Sequence, residues 1–472
     1  MFEVRALCRE SPSDWFSPAR AIIFEVPVLD TEGVLIRRTR RIAAALFLFS
    51  TLAAAQARPL TVLHTNDLHA RLLPFDDGRG GFAGLAATIR QERAGCGWCM
   101  LVNAGDLVQG SPVSTIYRGL PVFRIANLFR YDVSTIGNHD FDYGWQRLRE
   151  FEKTARYPLV SANVVDDGGH LLLRKAYVIR KVGGLRVAVI GAETEGLNDL
   201  TTPQVRGPWH TVPLIAAVRK YAAEARGKSD LVILLAHVSG KEEEALLREA
   251  PEVAVIVTGH LHDGIPAAME RDGRVLVRTR AYAAELGRLD LQVDVGRKAV
   301  SSWKWRRIPI DGKLKPAPDV AKAVARWERE VSKKVDVPIA ESTHAFDKPQ
   351  VRALIERAMC EGMGADFAFM NFGGVRDTIP KGRVLGRHVW NIMPFDNIVV
   401  MGTFKGSRLP EAVTRGKTVD PDRDYKLAVS DFTAANQAAQ SELRTKGLEF
   451  PVQGPLLRDA LMDWIKGQKT LE

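Results

Sequence analysis

Eight side chains able to bind metal recur at one kind of place in this chain, directly after short apolar runs. Asp67 and His69 follow residues 60–63, Asp106 follows 100–102, and Asn138 with His139 follow 133–136. His237 follows residues 231–235, and His260 with His262 follow 253–257. A lone histidine is usually an ordinary core or surface residue; repetition at successive run ends is what argues for ligation. Imidazole, carboxylate and amide oxygen together suit zinc, manganese or iron better than calcium. Two divalent ions held roughly 3.5–4 Å apart need a shared carboxylate, and Asp106 is the natural bridge. No cysteine joins the set, which points to a reactive site with open positions and not to a closed structural zinc.

The runs themselves read as β-strands. Together with 185–190 they alternate with longer amphipathic stretches, the pattern of strands covered on both faces in a layered α/β domain. In open α/β sheets ligands gather outside strand ends, so residues far apart in sequence can converge there. A chain of 472 residues, 46% hydrophobic, is too long for a single core. We read a leader over 1–57, a catalytic domain over 58–312, a connecting helix within 313–337 and a smaller α/β substrate-binding domain over 338–472. Val320, Val324, Trp327 and Val331 share one face of that helix. In the last domain, 351–363 reads as helix, and 367–370, 398–403 and 425–429 read as strands.

The net charge of +10 and pI near 9.4 favour anionic partners. No dense basic run with interleaved aromatics is present, so a nucleic-acid partner is not expected. Arg37, Arg38, Arg40 and Arg41 precede an apolar run over 42–52 and the small-residue site Ala55-Gln56-Ala57, the layout of a secretory signal peptide. The run is too short to span a bilayer, so no stable membrane insertion is expected after cleavage. The arginine pairs also fit a twin-arginine route. Residues 1–33 do not belong to such a peptide, which places the functional start near Val34 or Leu35. The mature protein would be periplasmic or secreted, as a monomer or weak dimer. There Cys96-Gly97-Trp98-Cys99 can close a local disulfide, while Cys360 is expected buried in a helix. His64, His170, His210, His344 and His388 stand outside the strand-end pattern and read as structural.

Asp67-Leu68-His69, Gly105-Asp106, Gly137-Asn138-His139-Asp140, His237 and Gly259-His260-Leu261-His262 resemble, in order and spread, the five signature blocks of calcineurin-like metallophosphoesterases. Thr65-Asn66-Asp67 and residues 106–112, DLVQGSP, are similar to the 5'-nucleotidase branch of that family. The resemblance implies one metal on Asp67, His69, Asp106 and His262, and a second on Asp106, Asn138, His237 and His260. It implies that His139, oriented by Asp142, stabilises the phosphate or protonates the leaving oxygen while metal-bound water attacks phosphorus in line. The metals would be manganese, zinc or iron.

Further on, Asn371-Phe372-Gly373-Gly374-Val375-Arg376 places paired glycines where backbone can approach a ligand and an arginine that can fork onto phosphate. Pro394-Phe395-Asp396-Asn397 and Ser430-Asp431-Phe432 look like the C-terminal blocks of bacterial 5'-nucleotidases. By that resemblance Phe395 and Phe432 sandwich the base, Asn397 joins the substrate site, and Arg352 is a further phosphate contact. One departure stands out: the family usually has Gly-Gly-Asp-Gly after the second phenylalanine, and residues 433–437 here read TAANQ. Recognition of ribose or base should therefore differ. The function implied is removal of phosphate from nucleoside 5'-monophosphates, extending to nucleotide sugars or 2',3'-cyclic nucleotides. The alternatives are a thiosulfohydrolase-type dimanganese enzyme of sulfur oxidation and a non-catalytic secreted nucleotide-binding protein.

Overall fold

Alternate residues of the same strands feed two different cores, and this is why the strands read as continuous apolar runs. In β1 (Ala57–Thr65), Leu60 and Val62 point into one core while Leu63 points into another. In β2 (Cys99–Ala104), Met100 and Val102 oppose Leu101 in the same way. β6 (Leu185–Glu193) and β8 (Leu231–His237) repeat the device, with Val187, Val189, Ile233 and Leu235 on one face and Ala188, Ile190, Val232 and Leu234 on the other. The shared core lies between two stacked sheets, and the outer cores lie under helices. The order is helix, sheet, sheet, helix.

The computed structural model describes residues 57–435 and 442–472. The leader with its arginines, the proposed start, and Asn436 and Gln437 of the TAANQ stretch lie outside the described residues. The first sheet runs β13-β12-β1-β2-β3, with β3 at Val133–Thr135, β12 at Glu285–Asp294 and β13 at Ala299–Pro309. β1, β2 and β3 are parallel, and β12 and β13 close the edge antiparallel. The second runs β10-β11-β9-β8-β6-β5, adding β5 (Tyr177–Val182), β9 (Val255–Gly259), β10 (Met269–Arg271) and β11 (Arg274–Val277). A small ladder pairs β4 (Val164–Val165) with β7 (His210–Thr211). The β12–β13 hairpin is absent from the sequence reading because its residues alternate apolar and polar, so only Leu289, Leu291 and Val293 of β12 join the inter-sheet core.

The helix Pro318–Val335 leads out of this half, yet Val320, Val324, Val331 and Val335 are buried in the first half's helical core. Its Trp327 ring packs on Tyr117, and its Glu328 pairs with Arg387 of the second half at 2.9 Å. The second half has a three-stranded sheet, β16 (Gly382–Leu385), β14 (Pro338–Ser342) and β20 (Thr470–Leu471). Its other sheet runs β15 (Phe367–Phe369), β18 (Asp424–Ser430), β17 (Ile398–Lys405) and β19 (Val452–Leu456). The helix Lys348–Met363 starts at Asp347, whose carboxylate accepts from Gln350 N while the Gln350 side chain accepts from Asp347 N. It packs Val351, Ile355 and Met359 against Leu461 and Ile465 of the helix Leu457–Gln468. Cys96 and Cys99 are joined as a disulfide. Cys360 is a free thiol, half-buried where burial was expected, because it flanks the apolar stripe of its helix. Among the described residues no helix is long and apolar enough to cross a membrane.

Candidate metal centre and substrate cavity

The carboxyl ends of β1, β2 and β3 from one sheet and of β8 and β9 from the other meet at a single point, and the eight side chains of the strand-end pattern stand there. Asp67, His69, Asp106 and His262 each offer a ligand atom, all within 4.8 Å of one another. His69 Nε2 and His262 Nε2 face each other at 2.8 Å. On the other side of Asp106, its Oδ2 lies 3.1 Å from His237 Nε2, which is 3.2 Å from Asn138 Oδ1. His260 stands beside His237 with ring centroids 5.1 Å apart.

Backbone geometry forces these positions. Asp67, His69, Asp106, His260 and His262 all have φ between 45° and 85°, the left-handed region that costs a non-glycine residue about 1–3 kcal/mol and persists only where surroundings hold it. The holding bonds are visible: His260 N donates to Asp67 Oδ1 at 2.9 Å and His139 N donates to Asp106 Oδ1 at 2.9 Å. A Cβ at Gly137 would stand 2.2 Å from Asp106 Oδ1, so only glycine lets the chain pass behind that carboxylate.

The electrostatics suit divalent cations. Asp67 and Asp106 are fully buried, and Asp106 Oδ2 accepts no hydrogen bond. Burial, reinforced by the like charge of Asp106, pushes Asp67 up to about 6. Burial acts the same way on Asp106, but the nearby His237 and His139 outweigh it and hold its carboxyl well below the usual range. Buried carboxylates with converging imidazole nitrogens are a donor set suited to divalent metal ions. His237 Nδ1 donates to Ala104 O at 2.9 Å and Tyr282 Oη contacts His262 Nδ1 at 3.2 Å, leaving each Nε2 for the centre.

Residues 60–264 match the calcineurin-like phosphoesterase family, and residues 331–415 match the 5'-nucleotidase C-terminal domain. This chain belongs to the 5'-nucleotidase family of calcineurin-like metallophosphoesterases. It is accordingly a metal-dependent phosphoester hydrolase. Relatives of this family member include Protein UshA of Escherichia coli K12, 28% identical over 86% of this chain and 87% of that protein. A 5'-nucleotidase of Vibrio vulnificus is 26% identical over 81% and 80%. A solved 5'-nucleotidase precursor from Thermus thermophilus superposes with a TM-score of 0.77 at 23% identity, over 88% of this chain and 97% of that one. A Thermus thermophilus sulfate thiohydrolase, SoxB, superposes with a TM-score of 0.76 at 18% identity, over 87% and 94%. Fold alone therefore does not separate those two chemistries.

Against the candidate metal centre of this 5'-nucleotidase family member lies a cavity of about 520 Å³, walled by both halves of the chain. His139, Asp142, Gly373, Gly374, Arg376, Phe395, Asn397 and Phe432 all line it. Arg376 Nη2 comes within 3.4 Å of His69 Nε2, and Nη1 donates to Gly373 O. The Phe395 ring lies 5.7 Å from that of His139 and 5.8 Å from the Arg376 guanidinium. His139 Nδ1 meets Asp142 Oδ2 at 2.9 Å. Burial alone would lower the His139 pKa, but the Asp142 and Asp106 carboxylates raise it above its ordinary value.

Arg352 is placed elsewhere. Its guanidinium is taken by Glu356 at 3.2 Å and Glu442 at 3.4 Å and lies over the Phe369 ring, outside the cavity wall. Sequence reasoning passed over Tyr282, Asp431 and Arg458. Tyr282 follows β11, a four-residue strand that was not among the six apolar runs, and the same strand-end question asked there would have found it. Asp431 and Arg458 act through contacts made only in the folded chain.

Proposed function

We propose that this chain is an exported phosphohydrolase that removes phosphate from nucleoside 5'-monophosphates, with nucleotide sugars and 2',3'-cyclic nucleotides as further substrates. The observation that carries the reading is one shared wall: Arg376, Phe395 and Phe432 of the second half line the same cavity as His139 and Asn138 of the first. Asp67, His69, Asp106 and His262 would hold one ion, and Asp106, Asn138, His237 and His260 the other. Two bound divalent ions, manganese, zinc or iron, supply positive charge to the phosphoryl oxygens and lower the pKa of a water near them. Arg376 draws the phosphate in through two parallel donors. His139, whose pKa the Asp142 carboxylate raises, holds a proton for the leaving oxygen. Phe395 and Phe432 give the base two apolar faces, a contact that tolerates several bases. The export reading rests on the arginine-led apolar segment and the Ala-Gln-Ala site ahead of the described residues.

A thiosulfohydrolase shares the fold, but an aromatic pair beside Arg376 suits a flat ring. A binding protein without turnover would be free to lose ligands, whereas this chain carries all seven residues proposed as ligands and both members of the His139/Asp142 pair. The test is phosphate release from nucleoside monophosphates, nucleotide sugars, cyclic nucleotides and bis-p-nitrophenyl phosphate with manganese, zinc and magnesium. Metal-dependent release from AMP, lost in His139→Ala, supports the proposal. Activity confined to the artificial diester removes the base site from it.

A further inference from the structure

The chain after Phe432 reads TAANQ, and a carboxylate, Asp431, stands beside Phe432 in the cavity wall. β17 and β18 pair antiparallel with Val399 opposite Ser430. That register brings Asn397, just before β17, beside Asp431 and Phe432, just after β18. Asn397 Nδ2 donates to Asp431 Oδ1 at 2.7 Å, and Phe432 N donates to the same oxygen at 2.8 Å. One carboxylate oxygen thus ties the turn that carries Phe395 and Asn397 to the segment that carries Phe432.

The other side of the turn is equally fixed. Arg458, 4% exposed, donates to Met393 O at 3.3 Å, to Phe395 O at 3.1 Å and to Asp396 Oδ1 at 2.8 Å. Leu457 N donates to Asn397 O at 2.8 Å. These bonds brace the turn in the orientation that aims Asn397 at Asp431. A carboxylate is an acceptor only, so the Asn397 amide must turn its NH2 towards Asp431. Its Oδ1 has no partner among the described residues, and Asn397 and Asp431 both line the cavity.

We propose that Asp431 is a specificity-determining positioning residue: by engaging Nδ2 it fixes which way the Asn397 amide lies and turns Oδ1, an acceptor, towards the cavity, so that the site favours nucleosides that present an N–H or O–H donor there. The inference rests on the nucleotidase reading of this cavity. It assigns to the Asp431–Asn397 pair a recognition role in the cavity wall beside Phe432. Asn397 makes the contact; Asp431 decides its polarity.

The experiment compares the parent, Asp431→Asn and the swapped double variant Asp431→Asn/Asn397→Asp, each loaded with manganese. The substrates are AMP, 2'-deoxy-AMP, purine riboside 5'-monophosphate and p-nitrophenyl phosphate. In Asp431→Asn the Asn397 amide is free to turn, and kcat/KM for AMP relative to p-nitrophenyl phosphate falls about tenfold, through KM, the worth of one hydrogen bond in a desolvated site. In the swap the two side chains exchange roles: the amide now on the β18 side donates to the carboxylate now on the β17 side. An acceptor again faces the cavity, so the ratio returns to within about threefold of the parent. The analogue lacking the recognised donor, ribose 2'-hydroxyl or base amine, binds poorly in the parent and is indifferent to Asp431→Asn. A nucleotide KM unchanged in Asp431→Asn, or a swap as impaired as the single variant, overturns the inference and leaves the nucleotidase reading standing. A parent that cleaves p-nitrophenyl phosphate but no nucleotide overturns both.

Discussion

Replacing Asp142 with asparagine keeps the shape of the His139 partner and deletes its charge. The pair is 2.9 Å apart with side-chain exposures of 17% and 21%. Two unit charges about 4 Å apart at an effective dielectric near 20 attract by about 4 kcal/mol, an upper bound that solvent at the cavity mouth reduces. The measured worth of a charge-assisted over a neutral hydrogen bond, about 1–1.5 kcal/mol, is the better guide and corresponds to roughly one pKa unit. The sign follows from the chemistry: Asp142 favours the imidazolium, so its removal lowers the His139 pKa. A general acid loses activity as pH rises through its pKa. The alkaline limb of kcat/KM for AMP should therefore move about one unit towards lower pH in Asp142→Asn. The plateau should drop by about 10²-fold, the lower end of general-acid contributions. p-Nitrophenyl phosphate, whose leaving group needs little protonation, should lose far less. An alkaline limb that stays in place, or moves up, would refute the assignment of His139 as the proton holder oriented by Asp142.

Arg376→Lys keeps a charge but loses the forked donor that reaches His69, so KM for nucleotides should rise about tenfold or more with a smaller change in kcat. Chelation should lower the melting temperature, because the buried Asp67 and Asp106 carboxylates lose their counter-charge. Ions bound at about a thousand times their Kd contribute about 4 kcal/mol, and calorimetry with and without EDTA, then with excess manganese, reads the loss and its recovery. His64 is fully buried, accepts from Trp305 Nε1 at 3.0 Å, and is lowered by burial from 6.5 to about 3. Its contribution is complete above pH 6.5 and is lost at about 1.4 kcal/mol per pH unit as pH falls from 6.5 towards 3. Urea unfolding across that window should show a slope shallower by about one proton in His64→Leu.

The sequence by itself determined the donor types of the candidate metal centre and their places after strands. Strand periodicity is local, and a chain leaving a sheet of parallel strands must turn at the carboxyl end, so Asp67, Asp106, Asn138 and His237 announce themselves by what precedes them. It also determined the helix Pro318–Val335 from its 3–4 spacing and the family from its five blocks. Tertiary structure alone decided that the strands form two sheets, because Leu60 meets Leu291 across the whole of the first half and no local pattern encodes that pairing. It decided that Arg376 reaches His69 and that Arg352 turns to Glu356 and Glu442, since either arginine is equally able to bind phosphate when viewed as sequence. It also joined Asn397 to Asp431, because a hydrogen bond between residues so far apart in the chain exists only once β17 and β18 have set their register.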